Sequence, residues 1–141
     1  IANKKNPYRL EAAKHYTLSL FFSYAHNMHS EDENIESRGI VQDFIALLKD
    51  NYRKHRDLTF YSDKLSITPK YLTTLVKGST SKSAHKWIED YVIIESKALL
   101  RSSNKTIEQI SLELSFNNQD VFSKFFKRVT GISPSEYRRR F

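Results

Sequence analysis

Two segments of the chain, offset by 50 residues, carry short polar and charged side chains beside an apolar row. These are Lys70, Thr73 and Thr74 in the first segment, and Gln119, Asp120, Ser123 and Lys124 in the second. Such amides, hydroxyls, amines and carboxylates can hydrogen-bond the base edges exposed in the major groove of DNA. We therefore predict that these residues contact bases.

A second set of cations flanks these positions and suits contacts to phosphates, which position a protein on DNA without specifying sequence. The set is Lys77, Lys82, Lys127, Arg128, Arg138 and Arg139. The 141-residue chain has a formal net charge of +7 and a pI of about 9.6. Most of the excess charge lies in residues 57–141. A basic balance of this kind favours a polyanionic partner, either nucleic acid or an acidic membrane surface.

Other kinds of chemistry find little support in the sequence. The chain has no cysteine, which excludes thiol catalysis and fits a reducing compartment, so we expect a cytoplasmic protein. His26 and His29 have helical spacing but no evident third ligand. No glycine-rich phosphate loop, serine triad or HExxH motif is present, and we expect no enzyme activity, metal or cofactor. The most apolar run, 16–25, is too short to span a membrane.

The polar segments need helices to hold them, and the local signals predict two helix-turn-helix units at about 59–78 and 106–129. Thr68 caps a helix that has Pro69 at its first position, where proline is tolerated. Thr106 and Gln109 form a capping box. Gly78 and Gly131 are expected to end the second helix of each unit.

A helix at about 83–102 separates the two units. Twenty residues at 1.5 Å per residue extend about 30 Å, while successive major grooves on one face of B-DNA lie about 34 Å apart. Such a helix can hold two recognition helices one DNA turn apart. Because no segment has a convincing strand pattern, we predict an all-α fold.

Two further helices are predicted before these units, at about 8–29 and 35–56. We predict an N-terminal extension over residues 1–56 and a second domain over 57–141. The apolar surface of the 8–29 helix predicts homodimerisation. The chain begins with Ile1 rather than methionine, and we expect a fragment in which residues 1–34 are a remnant of a sensor or dimerisation region.

The region from Thr59 to Phe141 resembles the DNA-binding domain of the AraC/XylS family of bacterial transcription regulators. The matching residues are TFYSDKLSITPKYLTTLVK and TIEQISLELSFNNQDVFSKFFKRVTGISPSEYR. The resemblance implies two helix-turn-helix units, joined by one helix, that bind promoter DNA. Separately from the resemblance, we expect RNA polymerase as a further partner. Ser115-Phe116 stands where the family often has Gly-Phe, and Ser62 and Ser111 stand where it often has alanine.

Two other functions are compatible with the sequence. The protein could be a helical protein–protein interaction module whose basic face binds an acidic partner, such as polymerase or a sensor domain. A DNA-acting enzyme is a third hypothesis, although the chain lacks a catalytic constellation for it. Protection of specific sites on genomic DNA separates the first hypothesis from the second.

Overall fold

A computed structural model describes residues 35–141, which form seven α-helices and no strand. Helices α2 (Leu58–Lys64) and α3 (Pro69–Thr80) form the first helix-turn-helix unit. Helices α5 (Ile107–Glu113) and α6 (Gln119–Thr130) form the second, and α4 (Ala84–Ser102) joins the two units. This confirms the predicted all-α fold, while the helix predicted at 8–29 lies outside the described residues. Helix α1 (Ile35–Asn51) precedes the first unit, and helix α7 (Pro134–Arg140) follows the second.

Side-chain caps begin the helices from α2 to α7, because the first backbone amides of a helix lack partners within it. Thr106 and Gln109 form the predicted reciprocal capping box at the start of α5. At α7, Ser133 accepts a hydrogen bond from the Glu136 amide, while the Glu136 carboxylate pairs with Arg140. The capping box predicted there is therefore only half formed.

Three helix ends differ from the sequence prediction. Asp57, rather than Thr59, caps α2 by accepting a hydrogen bond from the Thr59 amide at 3.1 Å. Helix α3 continues through Gly78 to Thr80, with its cap at Ser81 in the left-handed conformation at φ 57°. Helix α1 ends at Asn51 instead of near residue 56, and Tyr52 and Arg53 after it contact α4.

The two units repeat each other, but the second has a longer turn. Ser66 and Ser115 both have φ 55°, and they are 49 residues apart, whereas α3 and α6 start 50 residues apart. In each turn a backbone amide bonds back to the carbonyl of a buried serine, from Ile67 to Ser62 at 3.0 Å and from Phe116 to Ser111 at 2.8 Å. The extra residue predicted in the second turn is thus confirmed.

Two hydrophobic cores share α4. The first lies between α1, α2, α3 and the first half of α4, and it ends on that helix at Tyr91. The second starts at Val92 and includes α5 and α6. Tyr52, just after α1, packs against both cores. One long helix therefore forms part of two separately packed units.

Candidate nucleic-acid interface

Helices α3 and α6 each bury one face and expose the other, with the same alternation. Leu72 and Val76 of α3 and Phe122 and Phe126 of α6 are fully buried, and each pair lies one turn apart. From 69 to 84 the classes of buried, half-buried and exposed residues repeat without change from 119 to 134. The two helices therefore expose corresponding positions on their outer faces.

The equivalent positions carry different chemistry. Lys70 on α3 corresponds to Asp120 on α6, and Thr74 corresponds to Lys124. Amines, hydroxyls and carboxylates prefer different base edges. The two faces are therefore suited to different sequences rather than to two copies of one half-site.

The predicted base contacts divide into exposed and half-buried residues. Thr73 and Ser123 occupy equivalent positions at the margin of the buried face and are half-buried. The Thr74 hydroxyl donates to the Lys70 carbonyl at 3.0 Å, so this hydroxyl hydrogen is already engaged within the helix. The exposed residues of the set are Lys70, Thr74, Gln119, Asp120 and Lys124.

Tyr71 and Val121 are two further exposed residues that the sequence analysis did not select. They occupy equivalent positions in the first turns of α3 and α6 and are 47% and 43% exposed. Each immediately precedes a fully buried core residue, so a reading of helical periodicity would have placed both on the outer face. Apolar side chains here are suited to contact thymine methyl groups.

The predicted phosphate contacts include three exposed cations without a side-chain partner in the described part of the chain. Lys77 and Lys127 lie in the last turns of α3 and α6, and Arg139 lies on α7. The Lys82 amine is engaged by Asp90 at 2.7 Å. The Arg128 guanidinium is engaged by Glu89 at 2.6 Å, although its side chain remains 62% exposed.

Arg138 binds backbone within the protein. Its Nε donates to the Leu100 carbonyl at 3.2 Å, and its Nη2 donates to the Lys105 carbonyl at 2.7 Å. These bonds join α7 to the end of α4 and to the segment before α5. Since carbonyl oxygens at a helix C-terminus lack partners within the helix, a cation is well suited to bind them.

An ion pair between an exposed arginine and a buried carboxylate joins the segment after α1 to α4. Arg53 Nη2 lies 2.6 Å from Glu95 Oε1, and the Glu95 residue is only 2% exposed. Burial tends to lower the pKa of Arg53, but a hydrogen bond with Tyr52 and the attraction of the Glu95 carboxylate outweigh it and raise that pKa. The pair therefore ties the residues that follow α1 to a buried side chain of α4.

Residues 35–141 contain no group of three or more potential metal-ligating side chains close enough to hold an ion. In the same range no helix is long and apolar enough to cross a membrane.

This architecture defines a double helix-turn-helix protein with two recognition helices, α3 and α6. A sequence profile described as a helix-turn-helix domain matches residues 61–140. The chain belongs to the AraC family of DNA-binding transcription regulators. This confirms the family resemblance and the fold that it implies.

Named regulators are among the relatives. The Arabinose operon regulatory protein of Salmonella typhimurium is 30% identical over 99 residues, covering 70% of this chain and 35% of that protein. The Raffinose operon transcriptional regulatory protein RafR of Pediococcus pentosaceus is 28% identical over 122 residues, covering 85% and 44%. The chain therefore spans less than half the length of these relatives.

Solved structures share the fold. The C-terminal domain of AraT, a response regulator from Geobacillus stearothermophilus, matches with a TM-score of 0.67 and 25% identity, over 72% of this chain and 85% of that chain. The DNA-binding domain of AdpA in complex with a target DNA matches with a TM-score of 0.62 and 16% identity, over 71% and 90%. The second likeness concerns the fold alone.

Proposed function

We propose that this protein is a bacterial, cytoplasmic, sequence-specific regulator that places α3 and α6 in two successive major grooves of promoter DNA. The observation that carries the proposal is the repeated outer face, in which equivalent positions of the two helices are exposed over the same register. A solvated amphipathic helix requires no such repetition. Two matched exposed faces joined by α4 are suited to double-stranded DNA, because its major groove recurs once in each turn of the double helix.

The length of α4 supports binding to adjacent grooves. Its 19 residues correspond to about 28 Å at 1.5 Å per residue, close to the roughly 34 Å between successive grooves on one face of DNA. The first turns of α3 and α6, where recognition helices contact bases, carry Lys70, Gln119 and Asp120. Tyr71 and Val121 add apolar contacts at equivalent positions.

The cations of the two units have separate tasks in this proposal. Lys77, Lys127 and Arg139 are exposed and free to bind phosphates. Lys82 and Arg128 would have to exchange a carboxylate partner for a phosphate. Arg138 holds α7 in place through two backbone carbonyls. We therefore assign most of the salt dependence of binding to the first three residues.

Selection of bound duplexes from a random library, followed by footprinting, tests the proposal. The expected result is two protected blocks on one face of the duplex, with centres about 10 base pairs apart. Inserting about 5 base pairs between the blocks should lower affinity to that of one block, because it rotates the second groove to the opposite face.

Other outcomes would contradict the proposal. A single protected block, unaffected by the insertion, would mean that only one unit reads DNA. No enrichment and no protection at moderate salt would favour the protein–protein interaction module. Homodimerisation through residues 8–29 and contact with RNA polymerase stay predictions, and an operator-bound complex offers a direct assay for both.

A further inference from the structure

The connection between the two helix-turn-helix units includes more than α4. Residues 52–56, between α1 and α2, belong to the first half of the molecule in sequence but contact the second. The Tyr52 ring packs on Tyr91 with centroids 5.5 Å apart and touches both cores. Arg53 pairs with Glu95 in the second half of α4. Arg56 extends furthest, to the second helix-turn-helix itself.

Arg56 binds the turn of the second unit through both terminal nitrogens of its guanidinium. Nη1 donates to the Leu114 carbonyl and Nη2 donates to the Ser115 carbonyl. Its guanidinium carbon also lies 3.9 Å from the centroid of the Phe116 ring. The contacted residues are three consecutive positions, 58 to 60 residues further along the chain, so one side chain engages the whole start of the turn.

This turn determines where α6 points. The Leu114 carbonyl lies at the end of α5, where backbone oxygens lack a partner within the helix. Ser115 has φ 55°, which sets the change in chain direction. Phe116 then packs on Phe122 and Phe125 of α6, with centroid distances of 5.2 and 5.3 Å. A displacement of the turn is therefore transmitted to the recognition helix.

We infer that Arg56 is a positioning residue that fixes α6 relative to α3 and so sets the spacing of half-elements that the protein accepts. The inference rests on the proposed binding to two grooves. Arg56 also lines a cleft of about 220 Å³ between α4 and α6, together with Glu89, Phe125 and Arg128. Because this cleft is open, truncating Arg56 leaves space rather than a neighbouring side chain to replace its contacts.

Two substitutions and a control separate positioning from charge. Arg56→Ala removes both carbonyl contacts and the contact with the Phe116 ring. Arg56→Lys keeps the charge, but a single amine cannot reproduce the planar pair of donors. Lys54→Ala removes the same charge from an exposed side chain two residues away. Circular dichroism and urea unfolding identify any variant that fails to fold. If Arg56→Ala fails to fold, Arg56→Lys replaces it in both measurements.

The first measurement needs no DNA. The chain has no cysteine, so spin labels on Lys77→Cys and Lys127→Cys report the distance between equivalent, exposed positions of α3 and α6 by pulsed electron resonance. We expect the distance distribution of Arg56→Ala to be about twice as wide as that of wild type, because a constraint between two packed units is lost. Lys54→Ala should leave it unchanged. An equally narrow, unshifted distribution in both Arg56 variants would overturn the inference.

The second measurement compares selected duplexes that carry both half-elements with duplexes that carry one. Arg56→Ala should weaken binding to the two-element site about tenfold, because the second contact is no longer preorganised. Its affinity for one element should change less than twofold. The penalty for adding or removing one base pair between the elements should also shrink.

Different results identify different errors. If Arg56→Ala loses the same factor of affinity on both duplexes, and the slope of log affinity against log salt concentration falls by about 0.9, Arg56 contacts phosphate. This result would refute the positioning role. If the wild-type protein binds no DNA while the spin-label distance still responds to Arg56, the proposed function fails but the structural coupling stands. Unchanged distances and spacing preference in a folded variant would refute the coupling itself.

Discussion

Lys124→Ala offers a sharp test of sequence reading by α6. Lys124 is exposed in the middle of the helix, and its amine has no hydrogen-bond or ion-pair partner in residues 35–141. Alanine is a strong helix former, so we expect the free energy of unfolding to change by less than about 0.5 kcal/mol. Any larger effect must then arise in the complex with DNA.

A base contact from Lys124 predicts a loss that depends on sequence. Losing a good contact to a base edge costs about 1–3 kcal/mol of discrimination, which is about a 5- to 140-fold weaker Kd on the selected site. The loss on random duplex should be much smaller. Fluorescence anisotropy with both duplexes, at several salt concentrations, measures the two losses in parallel.

Lys127→Ala is the matched control, because Lys127 is one turn further along α6 and is also exposed. As a phosphate contact it should weaken binding to both duplexes by the same factor and reduce the salt slope by about 0.9. If Lys124→Ala behaves in the same way as this control, Lys124 contacts phosphate. If it leaves both affinities unchanged, the assignment of this face of α6 to DNA is wrong.

Three further predictions concern stability. Arg138→Ala should lower the free energy of unfolding by about 1–3 kcal/mol in urea, because two backbone carbonyls lose a charged donor, whereas exposed Arg139→Ala should change it little. Gly131→Ala should lower the free energy of unfolding by about 1 kcal/mol, because Gly131 has φ 84°, which is strained for alanine even though the space around the Cβ position is open. Ser81→Gly, at the equivalent cap with φ 57°, should raise the free energy of unfolding. Thermal melts compare the two variants, and a change of the same sign in both would contradict the argument. Burial raises the pKa of Tyr91 to about 12 from 10.0. The contribution of the neutral Tyr91 side chain to stability is therefore complete below pH 10 and is lost as pH rises towards about 12. Tyr91→Phe should reduce this alkaline loss of stability in urea titrations, and an unchanged pH profile would contradict the prediction.

The helix signals that sequence analysis read correctly are local ones. The Thr106–Gln109 capping box and the Gly131 cap involve residues within one helical turn, and both are present as predicted. Gly78 failed as a stop because Thr80 supplies an alternative end to α3. The Thr80 hydroxyl donates to the Val76 carbonyl at 2.7 Å and accepts a hydrogen bond from the Lys82 amide at 3.4 Å. These bonds support the cap at Ser81.

The candidate interface was predictable where it depends on helical periodicity. The outer faces of α3 and α6 follow from the buried rows at Leu72 and Phe122, and Tyr71 and Val121 were accessible to the same reasoning. The roles of Arg56 and Arg138 could not be predicted in this way. Arg56 contacts carbonyls 58 and 59 residues away, and Arg138 contacts carbonyls 33 and 38 residues away. No local pattern distinguishes such an arginine from one that binds phosphate.

In the proposed complex, the unlike outer faces of α3 and α6 would give the protein a fixed direction along the duplex. Helix α1 packs with α2 and α3 in the first core, so it lies on the side of the first unit. An inverted operator would therefore move α1 to the opposite end of the site. Reversing an operator without changing its position should thus alter regulation even where occupancy is preserved.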